Sequence, residues 1–226
     1  MSIARRKIVG LIAASAATTL AGCGGGDYAP PTGFIRLLNL NPEFPSADFS
    51  IDGGVVAGSV PSPGLTPRIE VDFGAYTFAL RERSTGITQS FGGVPVDDFS
   101  PSLFVFYRHF GSTRLDATPP GIINYFDSST ALDVDLFDDG VGVQVERLAF
   151  ESGVAQTSPS RGCVLRLYAA GSPTLIYDSG PQQRTDSILI FPRFPASSSR
   201  SGEVAVAGLN YRYSSANLVV WPNLLG

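Results

Sequence analysis

The densest group of acidic side chains in this sequence consists of four aspartates near its middle, and Ca²⁺ prefers several oxygen ligands of this kind. Asp133 and Asp135 alternate with apolar residues, so they would lie about 6–7 Å apart on the polar face of one strand. Asp138 and Asp139 precede Gly140, which is an ordinary turn signal. Because this spacing does not fit an EF-hand loop, we expect a solvated strand face here and no metal site.

General acid–base catalysis has few candidates in this chain. Two carboxylates can cleave a glycoside as acid and base, but Asp97 and Asp98 are adjacent, and adjacent residues on a strand point to opposite faces. The only histidine, His109, could act as a general base, yet the sequence contains no Gly-x-Ser-x-Gly nucleophile elbow. We expect a loop at Asp97 and Asp98 and a strand end at His109, and we predict neither a cofactor nor an enzymatic activity.

Aromatic residues near the C-terminus are the remaining candidates for binding. Tyr211 and Tyr213 are two residues apart, so on a strand they would share one face, with Arg212 on the other. Aromatic faces stack on sugars and anchor protein contacts, which makes the two tyrosines a candidate ligand-binding surface. Trp221 stands directly before Pro222 and is expected to close the hydrophobic core.

A leader segment precedes the part of the chain that would fold. Arg5, Arg6 and Lys7 form a positively charged start, and residues 8–20 are a short run of apolar and small residues. That run is shorter than the roughly 20 residues of a membrane-spanning helix. It ends at small residues, as a secretory signal does, so we predict a signal peptide over residues 1–22.

The run Leu20-Ala21-Gly22-Cys23 at the end of this leader resembles the lipobox of bacterial lipoproteins. The resemblance implies that signal peptidase II cuts before Cys23 and that acyl chains such as palmitate are attached to this residue. One acyl chain holds a protein only weakly on a membrane, so the two or three chains of lipoproteins imply a stable anchor. Gly24 fits onward transport to the outer membrane if the host is Gram-negative. A plain signal peptide with an unmodified cysteine is the alternative.

Charge and cysteine content narrow the range of partners. Three of the 16 basic residues, including the only lysine, lie in the leader, whereas the chain has 20 acidic residues. An acidic, lysine-free mature chain cannot easily neutralise phosphates, so nucleic acid is not an expected partner. If Cys23 carries lipid, the other cysteine, Cys163, has no disulfide partner in the chain and is expected to be a small buried apolar residue.

After a Gly- and Pro-rich tether over residues 23–33, the chain has the pattern of an all-β protein. Short runs of β-branched and aromatic residues alternate with Gly, Pro, Asp and Ser clusters, which favours a sandwich or a barrel. Ala47, Phe49 and Ile51 alternate with polar residues, as in a strand with one buried face. Residues 103–107 are apolar on both faces, which is typical of a strand buried on two sides.

A second series of strands follows Pro119-Pro120 and repeats the first in pattern and spacing. The predicted matches set residues 34–38 against 122–126 (Arg36 against Asn124), residues 47–52 against 132–137 (Asp48 against Asp133), and residues 74–78 against 162–166 (Phe78 against Arg166). The sequence therefore predicts two β-sandwich repeats, one over residues 34–117 and one over residues 118–226.

These segments resemble the domain of unknown function 4397. Copies of that domain open with an Arg-bearing strand, an Asn, a Pro-rich turn and an Asp-bearing strand, here Arg36-Leu37-Leu38-Asn39-Leu40-Asn41-Pro42, Pro45 and Ala47-Asp48-Phe49. Their later hairpin is matched by residues 162–167, Ala170-Gly171 and Ile176-Tyr177-Asp178-Ser179-Gly180. The resemblance implies tandem immunoglobulin-like antiparallel β-sandwiches on secreted or envelope-anchored bacterial proteins. It assigns no activity to Asp48 or to any other position.

Together these features predict a lipid-anchored cell-envelope protein of a non-catalytic display, scaffolding or adhesion type. The lipid on Cys23 would hold it to the membrane, and an envelope protein or a glycan would be its partner. A carbohydrate- or ligand-binding module that uses Tyr211 and Tyr213 is the alternative. An envelope hydrolase is the third class, and the sequence offers it no recognisable pair of nucleophile and base.

Overall fold

The computed structural model describes residues 31–97, 102–109, 112–117, 121–126, 131–138, 141–149, 152–154, 162–183, 185–193, 203–210 and 216–225. The first series of strands comprises β1 (Thr32–Asn39), β2 (Ser46–Ile51), β3 (Gly54–Pro61), β4 (Gly64–Leu65), β5 (Ile69–Asp72), β6 (Gly74–Glu82), β7 (Thr88–Val96), β8 (Ser102–His109) and β9 (Ser112–Ala117). The second comprises β10 (Gly121–Asn124), β11 (Leu132–Asp138), β12 (Val141–Leu148), β13 (Gly153–Val154), β14 (Gly162–Ala169), β15 (Leu175–Gln183), β16 (Ser187–Pro192), β17 (Val204–Asn210) and β18 (Asn217–Val220). Within the described ranges, no helical segment has the length and hydropathy of a membrane span.

The first series forms a sandwich of two sheets. Sheet A has the order β4-β1-β8-β9, with β5 also paired to β1, and sheet B has the order β3-β2-β6-β7. β1 and β8 run parallel, and the other paired strands of these two sheets run antiparallel. The sheets pack around an aromatic core in which Phe49, Phe78, Phe104 and Phe106 meet edge to face at centroid distances of 4.9–6.2 Å. Such pairs stabilise a core beyond the area that they bury.

The second series forms a sandwich with the same strand pairing. Sheet C has the order β13-β10-β16-β17-β18, and sheet D has the order β12-β11-β14-β15. The parallel pair of β10 and β16 corresponds to the parallel pair of β1 and β8. The core between sheets C and D includes Val134, Leu165, Ile188, Val206 and Trp221. The two halves of the chain therefore repeat one topology, apart from the additional strands β5 and β18.

A third hydrophobic core joins the two sandwiches. It contains Leu38, Leu40, Leu103, Val105 and Tyr107 from the side of sheet A, and from the side of sheet C it contains Ile123, Tyr125, Leu189, Phe191, Ala205, Ala207 and Leu209. The rings of Tyr107 and Tyr125 meet across it, with centroids 4.5 Å apart. We call this cluster the inter-sandwich core. It makes the described residues a stack of four sheets in the order B, A, C, D.

The inter-sandwich core explains the long apolar runs of the sequence. Residues 103–107 of β8 are buried without exception, and they alternate between two cores: Phe104 and Phe106 face sheet B, whereas Leu103, Val105 and Tyr107 face sheet C. Burying one such Leu or Phe contributes about 1.5–3 kcal/mol. The prediction of a strand buried on two sides is confirmed, because sheet A lies between two other sheets.

The all-β class and the β-sandwich packing predicted from the alternation of residues are confirmed by these sheets. Sheets B and D show that alternation most clearly, since Ala47, Phe49 and Ile51 of β2 are buried and the residues between them are only partly buried. The immunoglobulin-like character and the division into segments 1–22, 23–33, 34–117 and 118–226 stay predictions.

Of the three predicted matches between the halves, one agrees with the structure and two are displaced. Asp48 and Asp133 do correspond, since each lies on the central strand β2 or β11 and accepts a hydrogen bond from the neighbouring strand. The counterpart of Asn124 is Asn39 and not Arg36, because these two asparagines share two equivalent hydrogen bonds. The match at β6 is wrong by one residue. Phe49 of β2 pairs with Leu80, and its counterpart Val134 of β11 pairs with Leu167, so Leu80 corresponds to Leu167. Two residues earlier in each strand, Phe78 therefore corresponds to Leu165.

Candidate functional site

A cleft of about 460 Å³ lies at one edge of the junction between the two sandwiches. Its first wall consists of residues 63–68, which include β4 and the link to β5, together with Arg36 of β1. Its second wall consists of residues 216–218 at the beginning of β18. The lining residues are Arg36, Pro63, Gly64, Leu65, Thr66, Pro67 and Arg68 from the first sandwich, and Ala216, Asn217 and Leu218 from the second. Both halves of the chain therefore contribute to one concave surface.

The wall from the first sandwich follows from an interruption in the edge strand of sheet A. β4 pairs with the end of β1, and β5 pairs with its beginning, so the chain between them leaves the ladder opposite Arg36 and Leu37. Thr66 bridges this gap, since its backbone N–H donates to the carbonyl of Leu37 and its Oγ1 accepts the N–H of Leu37, both at 2.9 Å. A Cβ on Gly64 would lie 2.5 Å from the carbonyl oxygen of Pro61, so this close turn requires glycine.

Arg36 is the buried cation of the cleft. It shares a face of β1 with Leu38, and only 3% of its surface is exposed. Its Nη1 donates to the carbonyl oxygen of Thr66 at 3.1 Å, which fixes the guanidinium against the wall. Burial, and after it the positive charge of Arg68, lowers the pKa of Arg36 from its ordinary value. A shift of the pKa in this direction means that the surroundings disfavour the charged form of Arg36, chiefly because the side chain is buried.

Arg68 is the exposed cation at the mouth of the cleft. Its guanidinium carbon lies 3.4 Å from the centroid of the Phe34 ring, which is a stacked cation–π arrangement. Phe34 belongs to β1, two residues before Arg36. The stacking therefore holds an exposed, flexible side chain close to the strand that carries the buried arginine.

The chemistry that these lining residues offer is recognition of an anion. A guanidinium presents several N–H donors in a planar fork that matches a carboxylate or a phosphate. Pro63, Leu65 and Leu218 add apolar surface, and Asn217 adds an amide from the other sandwich. The described lining residues include no histidine, cysteine or carboxylate that could act as a general base. The arrangement supplies donors for binding a ligand.

The sequence did not reveal this cleft. Arg36 is conspicuous in the sequence as a charged residue inside the apolar run 34–38, and that signal could have marked it. Thr66 and Arg68 carry no comparable signal, because only the packing of β4 and β5 on β1 brings them beside Arg36.

Of the four aspartates weighed as metal ligands, Asp133 has a clear structural role. Asp133 accepts the backbone N–H of Arg147 and that of Gly171, each at 2.8 Å. These hydrogen bonds, the one from Arg147 foremost, hold the pKa of the Asp133 carboxyl below its usual value. Among the residues described, no group of three or more His, Cys, Asp or Glu side chains is placed to hold a metal ion. The side chain of Asp138 and the whole of Asp139 lie outside the described part.

Asp48 has the corresponding role in the first sandwich. Its Oδ1 accepts the backbone N–H of Ser59 at 3.0 Å and lies 3.5 Å from Nε of Arg83. Ser59 has a φ of 55° and Arg147 has a φ of 54°, a left-handed conformation that is uncommon for residues other than glycine. In each half, the aspartate therefore anchors a strained irregularity of the neighbouring strand.

The other candidate residues divide into buried, exposed and undescribed ones. Cys163 and Trp221 are 3% and 4% exposed within the core of the second sandwich, which confirms both as core residues. Asp97 follows β7 and is exposed, whereas Asp98 lies outside the described residues. His109 ends β8, as predicted, but its side chain is not described. Cys23, Tyr211 and Tyr213 lie outside the described residues.

Comparisons with known proteins do not add a family to this description. No family model matches the chain, and no curated protein matches its sequence. The resemblance to the domain of unknown function 4397 therefore stays a prediction from the segments that carry it.

Proposed function

We propose that this protein is a lipid-anchored, non-catalytic component of the bacterial cell envelope, with a display, scaffolding or adhesion role. The observation that supports the proposal best is the inter-sandwich core, which joins two sandwiches into one stack of four sheets. Two domains joined only by a linker would move independently, whereas a shared buried core holds them in one orientation. A body of this kind suits the presentation of a surface at a distance from a membrane.

The proposed anchor is an acyl group on Cys23, with residues 23–33 as the tether. The tether begins with Gly24-Gly25-Gly26 and includes Pro30-Pro31, and a composition of this kind gives an extended spacer without a core of its own. In a Gram-negative host the protein would reside at the outer membrane, either in the periplasm or on the cell surface. Its partner there would be an envelope protein or a glycan.

A carbohydrate- or ligand-binding module is the second candidate, and the cleft that contains Arg36 and Arg68 favours it. Tyr211 and Tyr213 are its other candidate contacts. A glycan array with the purified protein tests this function, and reproducible sugar binding that is lost in Tyr211→Ala or Tyr213→Ala would support it. None of the described residues favours the third class, an envelope hydrolase.

The anchor is tested by replacing Cys23 with serine in the expressed full-length chain. We expect Cys23→Ser to accumulate as an uncleaved precursor or to leave the membrane fraction. The matched control is Cys163→Ser, which changes the only other cysteine and leaves the lipobox intact. If Cys23→Ser is processed and membrane-bound like the control, the lipoprotein assignment is wrong.

The side of the envelope is tested by protease digestion of intact cells, followed with an antibody against the second sandwich. Digestion without lysis would place the sandwiches on the cell surface, where host, matrix or glycan partners are to be sought. Protection until lysis would direct the search to peptidoglycan and periplasmic assemblies.

A further inference from the structure

We propose that the cleft between the sandwiches is a binding site for a small organic anion, a molecule that carries a carboxylate or phosphate group on a compact body. This inference goes beyond the envelope role and does not depend on lipidation. It names the cleft lined by Arg36, Arg68, Thr66 and Asn217 as a specific site.

The cleft is lined by positively charged side chains, whereas the chain as a whole is negatively charged. The protein carries a formal net charge of −4, with 20 acidic residues. The described lining nevertheless contains two arginines and no carboxylate. An anion in such a cleft gains charge-assisted hydrogen bonds from guanidinium groups, and these interactions are stronger in a partly desolvated place than in water.

The two arginines are held in place before any ligand arrives. The hydrogen bond from Arg36 to the carbonyl of Thr66 fixes the buried guanidinium, and the stacking of Arg68 on Phe34 restrains the exposed one. Thr66 is itself bound twice to Leu37 of β1. A ligand that binds to donors already in position loses less free energy to the ordering of side chains.

The other lining residues indicate an organic molecule in preference to a bare ion. Pro63, Pro67, Leu65 and Leu218 give rigid apolar surfaces that a free inorganic anion would not use. The cleft volume of about 460 Å³ lies in the lower part of the range of roughly 300–1,000 Å³ found for small-molecule sites. A body the size of a monosaccharide or a dipeptide suits this volume.

The second sandwich adds an orienting amide. Nδ2 of Asn210 donates to Oδ1 of Asn217 at 3.2 Å, which directs the amide nitrogen of Asn217 to other acceptors. Because Arg36 and Asn217 come from different sandwiches, a bound ligand would bridge the two. Binding would therefore also raise the stability of the assembled stack.

The proposal is tested by titration calorimetry on the full-length protein in a non-ionic detergent. The probes are glucuronate, glucose 6-phosphate and hexanoate, with neutral glucose as the matched uncharged body, and acetate and inorganic phosphate as bare anions. We expect at least one of the three organic anions to bind, and we expect added NaCl to weaken that binding because the mouth of the cleft is exposed. Binding of glucuronate or hexanoate alone identifies a carboxylate site, and binding of glucose 6-phosphate alone identifies a phosphate site.

Two variants show whether the cleft is responsible. Arg68→Gln removes the exposed cation, and because this side chain lies on the surface we expect the variant to fold. Arg36→Gln would alter a buried residue and is therefore not used. We expect Arg68→Gln to raise the dissociation constant about tenfold or more, in line with the loss of one charge-assisted contact. The control is Arg81→Gln, since Arg81 is an exposed arginine of β6 in sheet B, on the far side of the first sandwich, and should leave binding unchanged.

Three results would overturn the proposal. The first is that none of the organic anions binds, or that glucose binds equally well. The second is that Arg68→Gln and Arg81→Gln bind the probe identically. The third is that acetate or inorganic phosphate binds as tightly as the organic anions, which would leave no role for the apolar walls.

Discussion

Asn39 and Asn124 make the same pair of hydrogen bonds in the two sandwiches. Oδ1 of Asn39 accepts the backbone N–H of the residue two positions later at 3.1 Å, and Oδ1 of Asn124 does the same at 2.9 Å. Nδ2 of Asn39 reaches the carbonyl of Val60 at 3.5 Å, and Nδ2 of Asn124 reaches that of Leu148 at 3.1 Å. Each asparagine is buried and ties the end of β1 or β10 to the edge strand of the opposite sheet.

Removal of either amide should therefore destabilise the protein. In Asn124→Ala, the carbonyl of Leu148 and the N–H of Phe126 lose their side-chain partner in a buried place, which costs about 1–3 kcal/mol of unfolding free energy. Urea unfolding measures the loss, and Asn39→Ala should show a comparable one. Gln183→Ala on the exposed end of β15 serves as control and should stay within about 0.5 kcal/mol of the wild type. Equal stability of Asn124→Ala and the control would contradict this role.

The inter-sandwich core should make the two sandwiches unfold together. Leu103→Ala removes a side chain that is 1% exposed on the first sandwich's side of that core, so we expect a loss of about 2–5 kcal/mol. Trp221 is the only tryptophan and lies in the core of the second sandwich. Its fluorescence therefore reports on the half that does not carry the substitution.

The control for this coupling is Val55→Ala, because Val55 lies on the same sandwich but is 67% exposed. We expect the unfolding midpoint at Trp221 to fall in Leu103→Ala and to stay constant in Val55→Ala. The sandwiches would unfold independently if Leu103→Ala left the unfolding midpoint at Trp221 unchanged while circular dichroism showed a separate, earlier transition.

Gly208 is a packing constraint on Trp221. A Cβ at this position of β17 would lie 2.4 Å from Cγ2 of Thr185 and 2.8 Å from the indole ring of Trp221. Gly208→Ala should therefore displace the indole, with a loss of about 1–3 kcal/mol and a shifted fluorescence maximum. Gly92→Ala in β7 has its nearest neighbour, Oγ1 of Thr77, at 3.8 Å and should change neither quantity. An unshifted spectrum in Gly208→Ala would disprove the contact.

Glu82 should make part of the stability depend on pH. The backbone N–H of Ser84, followed by the hydroxyl and N–H of Thr85, holds the pKa of its carboxyl at about 2, down from 4.5. A carboxylate with a lowered pKa in the folded state stabilises the protein above its unfolded pKa, and that contribution is lost as pH falls from 4.5 towards 2.

Glu82→Gln should therefore be less stable than the wild type at neutral pH, and the difference should shrink across this acidic window. Urea midpoints of both proteins over the pH series measure it. Glu203→Gln replaces an exposed carboxylate that lies 3.9 Å from Arg193, and its difference from the wild type should be small, since exposed ion pairs contribute little. A constant gap between the wild type and Glu82→Gln at every pH would contradict the shifted pKa.

The predicted matches between the halves show where sequence patterns fail. Phe78 and Leu165, the true counterparts, are both fully buried, whereas Arg166 is partly exposed and pairs with Asp178 at 2.9 Å. Because side chains on a strand alternate between two faces, a shift of one residue exchanges the buried face for the exposed one. Asp48 and Asp133 were matched correctly because both lie between buried apolar neighbours in strands of the same alternation.

Local patterns in the sequence were sufficient to predict the strands and part of the core. Alternation with a period of two predicted the strands, the run 103–107 predicted a strand buried on both faces, and Cys163 and Trp221 were placed in a core. These properties depend on residues close together in the chain, so a local pattern is sufficient to reveal them.

Which surfaces meet becomes visible only in the folded protein. The parallel pairing of β1 with β8 joins residues far apart in sequence, and the packing of sheet A on sheet C joins the two halves. The cleft has the same origin, since Arg36, Arg68 and Asn217 come from three separate strands or loops. Apolar surfaces attract one another without direction, so no local pattern specifies which of them will pack together or what lies at the edge of their contact.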